Sequence, residues 1–203
     1  MGDVVVVPAR KGRPPSTSHA TLEEVGIRLF IERGFDETSI DDIAAAAGIG
    51  RRTFFRYFPS KADLVWGDFD AELDRMRECL ARLDPRLPMM EAVRQAVIDF
   101  NALQPEQEAQ HRRRLTLILG VPTLIAHSTL QFAHWRAVIA EFAAQRLGQD
   151  PEDLLPRTIG HCALGTAVAA YEEWLRDTGA DLRALLDEAF AQLAHGFAAD
   201  RTP

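Results

Sequence analysis

Thr38-Ser39-Ile40-Asp41-Asp42-Ile43-Ala44-Ala45-Ala46-Ala47-Gly48-Ile49-Gly50-Arg51-Arg52-Thr53-Phe54-Phe55-Arg56-Tyr57-Phe58-Pro59-Ser60-Lys61 reads as two short helices joined by a glycine turn. Thr38 or Ser39 can cap the first helix, with Asp41 and Asp42 placed to complete a capping box and to suit the positive end of the helix dipole. Ile40, Ile43 and Ala44 share one face, which Ala47 extends. Gly48 stands where a chain leaving a helix needs a positive φ, Ile49 seals the corner, and the small Ala44 lets the helices approach closely. The second helix begins near Gly50 or Arg51 and stops at Pro59.

At ~100° per residue, Phe54, Tyr57 and Phe58 cluster on the inner side of this second helix. Arg52, Thr53, Phe55 and Arg56 face outward, with Arg51 on the flank and no acid among them. Arginine contacts phosphates or grips guanine bidentately, threonine meets a phosphate or a thymine methyl, and an outward aromatic packs on the sugar backbone. The face therefore suits a DNA major groove. An ordinary solvated face on a helical hairpin is the plain alternative.

The pattern Thr38, Ile43, Ala44, Ala47, Gly48, Ile49, Thr53, Phe54, Tyr57, Phe58, Ser60, Lys61 and Leu64 resembles the TetR family of transcriptional regulators. That resemblance implies a three-helix head ending in an aromatic-rich recognition helix, followed by a helical domain for ligand binding and dimerisation. Gly50 departs from a frequent serine, Phe55 from a frequent tyrosine and Arg56 from a frequent histidine, so two hydroxyl contacts are exchanged for one stronger cationic one.

Net charge is −7 over 203 residues, which at first argues against a nucleic-acid partner. Its distribution resolves the objection: residues 1–63 hold nine acids and nine Lys or Arg, and the deficit lies in the rest. Residues 8–20 and 49–62 carry only positive charges, and local stripes rather than the total govern phosphate contact. Cys79 and Cys162 are too few for a disulfide framework, and Val4 to Val7 is too short for a leader core or a membrane span. The expectation is a soluble, cytoplasmic protein.

Residues 1–16 read as a disordered basic arm in which Arg10, Lys11 and Arg13 surround a Gly-Arg-Pro core resembling the AT-hook, a minor-groove ligand. A solubilising tail explains the same residues. Residues 17–63 form the helix-turn-helix domain and 64–203 the effector-binding and dimerisation domain. The first helix spans about Ser18 to Arg33, and a fourth runs unbroken from Ser60 to about Leu83, with a Ser60-x-x-Asp63 cap. Lys61 and the first amides of that helix suit a phosphate, as does Thr38 on the other side of the recognition helix. Helical segments follow at about 89–103, 106–119, 123–147, 152–178 and 182–199, separated by prolines and glycines. The fold expected is all-α, with about nine helices.

Ile159, Ala163, Val168, Ala170 and Leu175, with Leu182, Leu185, Leu186, Ala189, Phe190 and Leu193, give the last two helices small and aliphatic faces. The family resemblance implies a homodimer through this pair, and a plain internal core accounts for the same residues. Catalysis has no foothold. Gly48-Ile49-Gly50 follows a helix rather than a strand, His127 and His134 are ~10 Å apart along one helix, and no nucleophile elbow is present. Catalytic residues, metal and cofactors are therefore assigned as none.

Trp66-Gly67-Asp68-Phe69-Asp70, the run Val121 to Ser128, and Trp135 resemble a TetR subgroup found with mycofactocin gene clusters. That resemblance implies a long-chain acyl-CoA effector in a tunnel touched by Trp66, Phe69, Pro122, Leu124, His127 and Trp135, with Arg112, Arg113 and Arg114 at its mouth for the phosphates. Each residue also has a structural reading as core or solvated surface. Taken together, the sequence describes a regulator that places Gly50, Arg51, Arg52, Thr53, Phe55, Arg56 and Tyr57 on a double-stranded operator and is released by a small-molecule effector. The alternatives are a ligand-binding or scaffold protein with a vestigial DNA head, and an activator using the same contacts.

Overall fold

The computed structural model describes residues 18–197, so Arg10, Lys11 and Arg13 of the basic arm lie outside the described residues. Ten helices follow one another, with no strand among the described residues: α1 (His19–Arg33), α2 (Ile40–Ala46), α3 (Arg51–Tyr57), α4 (Lys61–Trp66), α5 (Phe69–Arg82), α6 (Met89–Phe100), α7 (Pro105–Gly120), α8 (Pro122–Leu147), α9 (Leu154–Arg176) and α10 (Leu182–Ala194). Ser18 caps α1, and Ser39 and Asp42 form a reciprocal capping box at α2, as the spacing requires.

The turn between α2 and α3 takes the expected form. Gly48 has φ +67°, its N–H bonds to the Ala45 carbonyl at 3.1 Å, and the Ile49 N–H reaches back to Ala44 at 2.9 Å. Phe54 and Phe58 are buried beneath the corner with Leu22, Phe30, Ile43 and Leu64, while Tyr57 packs at the margin. This cluster does not end with the head. Leu117 and Ile118 of α7 and Leu124 of α8 belong to it, so Leu124 serves the junction of head and body.

A second apolar cluster holds the body together. Leu73, Met76 and Leu80 of α5 meet Val93 and Val97 of α6, Trp135 and Ile139 of α8, Trp174 of α9, and Leu186 and Phe190 of α10. Ala163, Ala170, Leu182, Leu186 and Phe190, expected at a subunit interface or a core, are all buried within the single chain.

The single helix expected over 60–83 is broken, which makes ten helices of nine. Gly67 leaves α4 with φ +65° and ψ −141°, and Asp68 begins a new helix. Two causes coincide there. Glycine tolerates the left-handed backbone, and a β-carbon would stand 2.9 Å from both carboxylate oxygens of Glu23 and 3.0 Å from Arg114 Nη1. Gly67→Ala is therefore expected to lower stability by about 1–3 kcal/mol, read as a drop in the urea midpoint at unchanged slope.

Candidate DNA-binding face and ligand cavity

Helix α3 is short, and its sides divide sharply. Phe54 is fully buried, whereas Arg51, Arg52, Phe55 and Arg56 are exposed and Thr53 half-buried. Arg52, Thr53, Phe55 and Arg56 together line one shallow surface depression. Arg51 is steered by Asp41 of α2, 2.9 Å away, and its guanidinium lies over the Phe55 ring. Arg56 lies over Tyr57, whose ring meets His19 of α1 edge-on. Gly50, at the helix start, makes no side-chain cap. The outward face read from the sequence is thus presented intact.

The flanking phosphate clamps are not. Thr38 is wholly buried; its hydroxyl donates to the Gly34 carbonyl at 2.7 Å, with the Leu29 carbonyl at 3.4 Å. Lys61 also turns inward, its ammonium donating to the carbonyls of Phe35 at 2.7 Å, Thr38 at 3.0 Å and Asp36 at 3.4 Å while lying over the Phe35 ring. An ammonium has three donors, and three carbonyls take them. The first amides of α4 are likewise satisfied by Ser60, whose hydroxyl accepts from Ala62 and Asp63 at 3.2 Å. Lys61 therefore fastens the loop between α1 and α2 to α4, Thr38 ties the same loop to the end of α1, and Ser60 caps α4, so in this structure Thr38 and Lys61 are engaged by backbone carbonyls and do not face outward beside α3.

Behind the head a cavity of about 560 Å³ opens among α1, α4, α5, the end of α6 and the loop after it, α7, α8 and α9. Phe69, Met76, Phe100, Leu115, Ile118, Phe132 and Trp135 form apolar walls, and Glu23, Glu72, Arg75, Asn101, Gln110, His111 and Arg114 supply polar points. Of the residues expected at an effector site, Trp66, Phe69, Arg114 and Trp135 line this cavity. The other expected contacts do not line it. Arg112 stacks on Trp174 at 3.9 Å and donates to the Trp174 carbonyl, closing the carboxyl end of α9; Arg113 is exposed. Pro122 is exposed at the first position of α8, and His127 pairs with Asp63 of α4 at 3.2 Å. A run of three arginines on one helix points in three directions, so only Arg114 of the three faces this cavity.

The cavity's polar points carry perturbed groups. Tyr171, fully buried, donates to Asn101 Oδ1 at 2.7 Å, and burial raises its phenol to about 12. His111 is lowered to about 4, chiefly by burial and secondarily by the neighbouring Arg114 charge, so it is neutral at pH 7. These two and Asn101 escaped the sequence reading because they lie on three helical segments with no local motif joining them. Among the described residues, no group of three or more His, Cys, Asp or Glu is placed to hold a metal ion, and no single helix is long and apolar enough to cross a membrane.

Residues 23–65 match the model for bacterial regulatory proteins of the tetR family, and residues 87–198 match the MftR C-terminal domain. The chain belongs to the TetR family and is a DNA-binding transcriptional regulator, of a family whose members are not enzymes. Within it, the chain is 42% identical over 188 residues, 93% of its length and 95% of the relative's, to the protein assigned as mycofactocin biosynthesis transcriptional regulator MftR in Mycobacterium tuberculosis. The fold is shared with FadR of Thermus thermophilus, determined with lauroyl-CoA, at TM-score 0.57, 23% identity and coverage of 92% of this chain and 98% of that one. FadR of Bacillus subtilis with stearoyl-CoA aligns at TM-score 0.63 and 17% identity, covering 88% of this chain and 99% of that one.

Two outcomes follow from these side chains. Thr38→Val removes a buried hydroxyl bond and should cost about 1 kcal/mol of stability while leaving the salt dependence of DNA binding unchanged. For His111, the unfolded chain takes up a proton near pH 6.5 that the native chain resists until about pH 4. Its contribution is present above pH 6.5 and is lost as pH falls toward 4. Urea titrations at pH 7 and pH 4.5 should show His111→Phe to lose about 2 kcal/mol less than the parent over that interval.

Proposed function

We propose that the chain is a homodimeric repressor whose hold on a palindromic operator is released when a small-molecule effector, a long-chain acyl-CoA, places its apolar chain in the cavity. The observation that carries this reading is the cavity's position: Ala20 and Glu23 of the head's first helix, and Trp66 at the end of α4, form part of its wall. A molecule filling it bears directly on the elements that set the attitude of α3. A volume of about 560 Å³ with aromatic walls is in the range of small-molecule sites. Two proteins of the same fold are described in complex with lauroyl-CoA and stearoyl-CoA. The similarity to a regulator assigned to mycofactocin biosynthesis supports control of genes for that product.

On DNA, Arg51, Arg52, Thr53, Phe55 and Arg56 would enter the major groove, with Gly50 and Tyr57 close to the backbone. Arg10, Lys11 and Arg13 would follow the adjacent minor groove. A single head this small buries too little for specific recognition, so a pair is needed. The outward side of α9 offers a surface for it: Leu154 is 82% exposed, Leu155 is exposed, and the space where a β-carbon of Gly165 would stand is open. On this reading the protein acts in the cytoplasm, with the DNA.

Binding should be measured by fluorescence anisotropy on the DNA flanking the gene, over a range of salt and with a panel of acyl-CoA compounds. The expected result is tight binding that weakens steeply with salt, a loss of about 1–3 kcal/mol for each of Arg52→Ala and Arg56→Ala, and release by one class of acyl-CoA. Full-strength binding by the double variant would remove the DNA assignment. An operator affinity unmoved by saturating ligand would remove the switch, since a ligand binding both forms equally shifts nothing.

A further inference from the structure

The cavity wall nearest the head is charged. Glu23 of α1 and Arg114 of α7 both line it, and Arg114 Nη2 donates to Glu23 Oε2 at 2.5 Å, the two side chains being only 22% and 13% exposed. Arg114 Nη1 lies 3.4 Å from the carbonyl of Trp66, the last residue of α4. One guanidinium on the body is thus shared between the head's first helix and the carboxyl end of α4, and the pair fits closely over the β-carbon-free Gly67.

This end of the cavity is short of acceptors. A guanidinium offers five N–H donors and accepts nothing. The Trp66 Nε1–H donor, on a ring that lines the same cavity, is buried without a hydrogen-bond partner. Arg75, another cation of the wall, is paired with Glu72. Phe69, Met76 and the other apolar residues supply one stretch of the remaining wall, beside Asp99, Asn101, Gln107 and Gln110. An elongated apolar molecule with an oxygen acceptor at one end matches both halves.

We infer that Arg114 receives the acyl oxygen of the ligand, either a fatty carboxylate or a thioester carbonyl, and that this oxygen displaces the Glu23 carboxylate. Occupation of the cavity and the tie between α1 and α7 then exclude one another. The inference rests on reading the cavity as an effector site. A fatty carboxylate replaces Glu23 at the guanidinium in kind, whereas a thioester carbonyl is a weaker acceptor; in both cases the released Glu23 carboxylate has to turn to solvent, and burial of the ligand's apolar chain drives the exchange. A ligand that binds only the untied form withdraws the head's attachment in proportion to its differential affinity.

Glu23→Gln removes the competing charge at nearly constant side-chain size. Dodecanoate, lauroyl-CoA and the thioether S-dodecyl-CoA, which lacks the carbonyl, should be titrated into the full chain and followed by tryptophan fluorescence, since Trp66 and Trp135 line the cavity. The parent should prefer lauroyl-CoA to the thioether by roughly tenfold. Glu23→Gln should strengthen dodecanoate and lauroyl-CoA severalfold and leave the thioether unchanged, and Arg114→Gln should erase the preference. An equal gain for all three probes, no preference in the parent, or no binding of either acyl probe overturns the inference. Operator affinity, read in the same samples, separates the two ideas. Acyl probes that bind through Arg114 without moving it overturn the effector reading alone. Were Glu23→Gln not to fold, the parent's preference and its loss in Arg114→Gln decide.

Discussion

A head of some fifty residues buries only a small apolar core of its own, and one side of that core lies against the body. That side is met by Leu117 and Ile118 of α7 and Leu124 of α8, which join the cluster around Phe54, Phe58 and Leu64. The orientation of α3 is therefore a property of the whole chain. Because those same helices also bound the cavity, one packing arrangement carries both the DNA-reading face and the space behind it. The loop that sets up the reading helix is fixed from the same side, through the Lys61 ammonium and the buried Thr38 hydroxyl.

Local sequence gave most of the head correctly because its determinants are local. A capping box needs three residues, a glycine turn one, and an amphipathic face two turns. At Thr38 and Lys61 local reasoning does not decide, because a polar side chain near a DNA-reading helix is as useful for holding backbone carbonyls, as both do here, as for holding phosphate. The same applies to Arg112, whose partner is the end of a helix more than sixty residues away. Of the residues that line the cavity, Trp66, Phe69, Trp135 and Arg114 were singled out from the sequence, through short strings that resemble a family pattern and a run of arginines. Glu23, Asn101, His111 and Tyr171 come together only through long-range packing.

The break at Gly67 belongs to both classes. The glycine was visible inside a helical run, but the reason for it was not, since Glu23 and Arg114 lie far off in sequence and leave no room for a β-carbon. The left-handed conformation and the charged pair above it are mutually dependent. A residue with a side chain at this position would disturb the backbone and the ion pair together.

A joint at Gly67 makes unequal arms of what would otherwise be one rod. Helix α4 has six residues, about 9 Å, and α5 has fourteen, about 21 Å. The long arm is sunk in the body through Leu73, Met76 and Leu80, while the short arm ends at the recognition helix. In mechanical terms, a short output arm gives small displacement and little compliance, so an angular change at the joint reaches α3 as a tilt of the reading helix more than as a translation along the groove.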